Sequence, residues 1–173
     1  MTSNFKNLIL DIKGLGAVEF ALILPFLLFL WMGVVELIEL HLAGRKATIA
    51  VQTAADLIAQ EQSITLAKLQ DITSAVNAVM EPYPTANMGY KFASIEADID
   101  GNVSVGWQFT QGNISSSDSV PAQALPLVTQ NDSVIVAVIT YQHDTLFDLI
   151  VPDVDLKEEA FSRPRRTLKI PLN

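Results

Sequence analysis

Polar and apolar positions change their spacing along this chain, and each change marks a different element. From Leu15 to Val35 every residue is uncharged except Glu19. As a helix rising ~1.5 Å per residue that run covers about 30 Å, the thickness of bilayer hydrocarbon, so it predicts a membrane-spanning helix. Pro25 removes one backbone donor within it and predicts a kink of the kind membrane helices tolerate, and Trp31 suits the lipid–water interface. Beyond Val35, Leu37, Ile38, Leu40, Leu42, Ile49, Val51, Ala54, Ala55, Leu57 and Ile58 alternate with Glu39, Arg45, Lys46, Gln52 and Asp56 at spacings of three and four. That pattern carries the helix into water as an amphipathic stalk, to about Gln60.

Ser63 or Thr65 can cap a second helix, whose stripe is Leu66, Leu69, Ile72, Val76, Val79 and Met80 and which Pro82 and Pro84 end. The spacing then switches to two. Ile95, Ala97 and Ile99 form one alternation; Val103, Val105, Trp107 and Phe109 form another, expected to face one side of a half-buried strand. Asp100-Gly101 between them signals a hairpin, because tight turns need residues that accept positive φ. Gln111 to Ser133, rich in Gly, Ser, Asn and Pro, reads as a long surface loop. Val134 to Tyr141, apolar on both faces, reads as a central strand covered on one side by the long helix. Leu146 to Asp155 reads as a second loop, and Phe161 to Ile170 as a last strand that Pro164 restricts to an edge or to its beginning. The fold class is α+β: a long N-terminal transmembrane and stalk helix, then a second helix packed on a small antiparallel sheet. The expected boundaries are 1–14, a short basic segment; 15–62, the membrane and stalk helix; and 63–173, an α+β domain, which the resemblance described below makes a leader and an extracytoplasmic domain.

Composition narrows the function. The 173 residues leave about 110 beyond the leader and span, enough for one small domain with its own core. The net charge is −8 and the pI about 4.6. The excess acid lies beyond Lys46, since the first 46 residues hold four charges of each sign. Such a domain repels nucleic acid and anionic headgroups. Absence of cysteine excludes disulfides, thiolate nucleophiles and zinc-thiolate sites. Lys6 and Lys13 before the span nearly balance Arg45 and Lys46 after it, so charge alone sets no orientation.

Little catalytic or metal chemistry is expected. Asp98-Ile99-Asp100-Gly101-Asn102 has oxygen ligands at alternate positions, but its glycine is fourth and its twelfth residue is Phe109, which fails the calcium-loop pattern. His41 and His143 lack an i, i+4 partner for a metal, and no serine lies in a nucleophile-elbow context. No catalytic residue, metal, cofactor or small-molecule substrate is therefore assigned. Arg163, Arg165 and Arg166 form one basic cluster in an acidic domain. It either pairs locally, with Asp153, Asp155, Glu158 or Glu159, to anchor the last strand, or docks on an acidic face of another subunit through guanidinium–carboxylate forks.

The remaining chemistry is at the N-terminus. A carboxylate in a membrane helix costs about 2.5–3.5 kcal/mol on insertion scales, so Glu19 needs a partner. Cleavage after Gly14 would free an amine on Leu15, one helical turn before Glu19 or within reach from a neighbouring subunit. A basic leader, Gly14, Leu15, Glu19 at the fifth following position and Phe20 resemble the substrates of prepilin peptidase in type IV pilin-like systems. Ala17-Val18-Glu19-Phe20-Ala21-Leu22-Ile23-Leu24-Pro25, Gly44-Arg45-Lys46-Ala47 with Ala54-Ala55, Val138-Ile139-Thr140-Tyr141 and Phe161-Ser162-Arg163-Pro164-Arg165 resemble TadE-like minor pseudopilins. The resemblance implies a type IV pilin-like fold and a non-enzymatic role in biogenesis of the Flp pilus of the tight-adherence system, hence adherence and biofilm formation. It implies the inner membrane, prepilin peptidase and other Tad/Flp pilins and pseudopilins as partners, with the C-terminal domain in the periplasm. The alternative is an uncleaved single-pass anchor carrying an extracytoplasmic binding domain.

Overall fold

The computed structural model describes residues 15–114, 122–145 and 153–173. Helix α1, Leu15–Ala59, is continuous past Pro25. The described residues fall into two units, one holding α1 as far as Glu39, the other running through Leu40–Asp144 and Asp153–Asn173. In the first unit the side chains are mostly exposed: Phe20, Leu22, Phe26 and Trp31 are each more than half exposed. Glu36 is the exception, buried and engaged in a polar or electrostatic interaction.

The second unit is an α+β domain. The rest of α1 and helix α2, Leu66–Met80, cover one face of a four-stranded antiparallel sheet. Its strands are β1, Gly89–Ala97; β2, Val103–Gly112; β3, Ser133–His143; and β4, Val154–Ser162, in the order β2-β1-β3-β4. Thr65 caps α2, its hydroxyl accepting from the Lys68 amide at 3.2 Å. The stripe of α2 is Leu69, Ile72, Val76 and Met80, whereas Leu66, in the first turn, stays exposed. On α1 the buried face is built from small residues. Ala43, Ala47, Ala50 and Ala54 recur every three or four positions beside Val51, Ala55 and Ile58, and the larger Leu42 and Ile49 point outward. Alanine lets the helix backbone approach the sheet closely, and the bulk on that side comes from Phe92, Ile135, Ile139 and Tyr141. Because Ala43 belongs to this core, the domain takes in α1 from Leu40 onward.

β3 is central and buried on both faces, as its unbroken apolar run implies. Val134, Val136 and Val138 face away from the helices, into a second cluster with Ile95 and Ala124. Ala124 belongs to a short 3-10 helix, Ala122–Leu127, which, with Val128, helps to cover that face. The stretch expected as a surface loop therefore completes the core: a sheet whose central strand is apolar on both sides needs a lid on each.

β2 departs from the expected alternation. Ser94 pairs with Trp107 but Ile95 with Val105, so Gly106 is an extra residue, a bulge that reverses which side chains face the helices. Trp107 and Phe109 join the helix-side cluster, while Val103 and Val105 take the other face and are 40% and 48% exposed. A Cβ at residue 106 would run into the Glu96 carboxylate, so glycine suits the bulge. The hairpin between β1 and β2 is as expected: Gly101 has φ +86, and Asp98 accepts from the amides of Asp100 and Asn102 and from the Asn102 side chain, at 2.8–2.9 Å. Those bonds, the Asn102 side chain foremost, hold the Asp98 carboxyl below its usual range.

The last strand is not Phe161–Ile170. β4 ends at Ser162 and pairs with β3, Ala160 opposite Ala137. Pro164 follows it, and the tail bonds elsewhere: Arg165 N–H to the Ala59 carbonyl at 2.9 Å, the Trp107 indole N–H to the Ile170 carbonyl at 2.7 Å, and the Ser133 hydroxyl to the Leu168 carbonyl at 2.7 Å. Leu172 bridges Ile64, parallel, with Ile64 N–H on the Pro171 carbonyl and Asn173 N–H on the Ile64 carbonyl. The tail is a strap that ties the α1–α2 connection to the sheet. Of the loop expected over Leu146 to Asp155, 146–152 lie outside the described residues and Val154 already belongs to β4.

Two measurements test this core. Val136→Asp puts an unpaired charge between sheet and lid, a loss of about 3 kcal/mol or more; calorimetry should show Tm reduced by about 10 °C or more, and an unchanged melt rejects the assignment. Burial pushes the Tyr90 hydroxyl up to about 12 from 10.0, its bond to Asn77 offsetting part of the shift. The unfolded chain then loses that proton first as pH rises. Stability present below pH 10 should fall between pH 10 and about 12, and Tyr90→Phe should flatten that segment of a Tm-against-pH curve.

Candidate functional site

The N-terminal site residues lie at the start of α1. Gly14 lies outside the described residues, Leu15 is the first described residue and already helical, and Glu19 and Phe20 follow about one turn later, both exposed. The surrounding run has a mean hydropathy of 2.4 over its most apolar window, nearly all of it uncovered. Water is a poor solvent for such a surface, and a bilayer or other apolar helices would satisfy it. Glu19 is thus set in an apolar exterior, and the residues one turn away on its own helix, Leu15, Gly16, Leu22 and Ile23, carry no charge. That suits a carboxylate whose partner comes from another group in the same layer.

Farther along α1 the site includes a contact that spacing alone did not reveal. The Lys46 ammonium donates to the carbonyls of Val79, at 3.3 Å, and Glu81. These carbonyls close the C-terminus of α2, where a cation meets unsatisfied acceptors and the negative end of the helix dipole. The signal was present in part, since Pro82 marks a helix end that needs acceptors satisfied. Nothing in the sequence says which lysine comes to it.

Arg163, Arg165 and Arg166 follow β4, and all three are exposed. Arg163 donates to the Leu127 carbonyl at 2.8 Å and lies 3.7 Å from the Asp132 carboxylate. Arg165 pairs with Asp56 on α1 at 3.0 Å, where Asp56 also accepts from the Ser162 hydroxyl. The acids that meet the cluster are Asp56 and Asp132, distant in sequence, rather than the adjacent Asp153, Asp155, Glu158 or Glu159; Glu158 instead accepts from Thr48 on α1, and Glu159 pairs with Lys157. Arg163 and Arg165 are therefore held over the junction of strap, α1 and lid. No ion pair of Arg166 occurs among the described residues.

A long apolar helix running into an α+β domain fits a single-pass membrane anchor. A family model for TadE-like protein matches residues 14–56, which makes this N-terminal part of the chain TadE-like and implies association with the Tad pilus system. The match begins at Gly14 and takes in Glu19, Lys46 and Ala54-Ala55 before ending at Asp56, the partner of Arg165. No curated protein and no solved structure matches the chain.

The Arg165–Asp56 pair is more than half exposed on both sides, and such pairs contribute about 0.2–1 kcal/mol. Arg165→Ala should therefore lower Tm by only a few degrees, with Asp56→Ala adding in the double variant no more than the loss of its exposed bond from Ser162. A drop as large as that of Val136→Asp would make the cluster an anchor of the domain and remove it as a docking surface.

Proposed function

We propose that the protein is a minor pseudopilin that works with the Tad/Flp pilus machinery, held in the inner membrane by α1 with its domain in the periplasm. It acts by assembly and not by catalysis. Its leader, 1–14, is cut after Gly14 by prepilin peptidase, which frees an amine on Leu15 to pair with Glu19, in the same chain or a neighbour, and so fixes the helix's register among other pilins and pseudopilins. Pilus biogenesis, adherence and biofilm formation follow from that assembly.

The observation that carries this reading is the coincidence at Gly14: the matched region starts there, and the one charge of the apolar run lies at the fifth position after it. Pairing an amine with Glu19 inside an apolar layer relieves the penalty of an isolated carboxylate.

Intact mass of the protein extracted from its own membranes tests the cut. The expected mass is that of a chain beginning at Leu15; one beginning at Met1 favours the uncleaved anchor. Gly14→Phe should retain the leader, because a bulky side chain obstructs close approach to the scissile bond. Glu19→Ala should enter the membrane at least as readily as the parent, since removing the charge eases insertion, yet give fewer pili and weaker surface attachment. Pilus counts equal to the parent's would leave Glu19 as a carboxylate that merely snorkels to the interface.

A further inference from the structure

Beside the arginine cluster lies a cleft to which assembly through α1 gives no role. Leu127 of the lid, Val134 at the start of β3, and Phe161 and Ser162 at the end of β4 line a space of about 190 Å³, with Arg163 at its rim. The lining is mainly apolar: Val134 is buried, Phe161 is half-buried, and Leu127 is 40% exposed. Small-molecule pockets usually span about 300–1,000 Å³, so this one suits a single apolar side chain better than a substrate.

The guanidinium groups beside it are oriented but not saturated. Arg163 is held by one bond, from a terminal nitrogen to the Leu127 carbonyl at 2.8 Å, and its other terminal nitrogen lies 3.7 Å from Asp132, beyond hydrogen-bond reach. Arg165 likewise gives a single nitrogen to Asp56. Neither makes the two-point fork by which a guanidinium grips a carboxylate, and both side chains are more than half exposed. Arg166 follows directly, with no ion pair among the described residues, so three guanidinium groups lie within about 10 Å of chain.

We propose that this corner docks an extended acidic segment of a partner protein. One apolar side chain of the segment enters the cleft, and a carboxylate next to it takes the open edge of Arg163, with Arg165 and Arg166 receiving further acids. Charge complementarity selects this occupant: the three arginines stand together in a chain of net charge −8. A short segment meets them within a Debye length, about 8 Å at physiological ionic strength, whereas a membrane or a nucleic acid extends past them over the acidic surface. The apolar lining favours a polypeptide over a small anion, which would leave the cleft empty. The docking uses only the domain and depends on neither leader cleavage nor the pilus role.

The test uses the full chain in non-ionic detergent and, as probe, a fluorescent five-residue peptide that alternates acidic residues with leucine. Polarisation should show saturable binding above that to empty micelles, weakening as salt rises. Replacing the probe's acids by their amides, or its leucines by glycine, should each weaken binding by about tenfold. Arg163→Gln with Arg166→Gln should weaken it by about tenfold or more while Tm stays within a few degrees of the parent's, since exposed substitutions cost little stability. Arg163→Lys, which keeps the charge and loses the fork, should not restore it. Absence of saturable binding, equal binding of the amide or glycine probe, or affinity unaltered in the double variant overturns the proposal. So does displacement of the probe by inorganic phosphate at constant ionic strength, which would make the cluster a small-anion site, or by phosphatidylglycerol added to the micelles, which would assign it to lipid.

Discussion

One unbroken helix has to satisfy two surroundings, and the rest of the structure follows from how its surface is divided. In its first half the side chains are large and apolar on all sides, which suits lipid or other helices equally and gives no preferred face. In its second half the apolar surface contracts to a stripe of alanines. Small side chains bury little area each, so the stability of that contact comes from what they admit: the sheet's Phe92, Ile135, Ile139 and Tyr141 can approach the helix backbone. A bulky stripe on α1 would hold the sheet off.

Most of the elements were legible in the sequence, because their periods were. The C-terminal end of α1, the limits of α2, the Thr65 cap, the Asp98–Asn102 turn and the central place of β3 all rest on local rules of spacing, capping and turn chemistry. The failures share a cause: they depend on partners far away in the chain. The bulge at Gly106 breaks an alternation that continues perfectly in the letters, because register is set by β1 and not by β2 itself. The lid containing Ala124 has a loop's composition, and only the apolar second face of β3 requires it to be buried. The residues after Ser162 look like a strand but bond to Ala59, Trp107, Ser133 and Ile64, one after another.

The site was legible at its two ends and not in between. Glu19 stood out because a charge in an apolar run is conspicuous, and the arginines because they are basic in an acidic domain. Their partners were another matter. Asp56 and Asp132 looked like ordinary surface acids, and pairing the arginines with their nearest sequence neighbours overlooked the turn the chain makes at Pro164. Lys46 belongs to the matched region, yet its contacts lie in α2, beyond the end of the match.

The strap leaves the two tryptophans in contrasting places. Trp31 is 62% exposed on the apolar half of α1, while Trp107 is 7% exposed, its indole bonded to the strap at Ile170. Indole emission shifts with the polarity and mobility of its surroundings, so the chain holds one natural fluorophore for the bilayer and one for the domain. Replacing Trp31 with phenylalanine would leave a single emitter whose colour and quenching follow release of the C-terminal strap, distinguishable from any change in how the helix meets lipid.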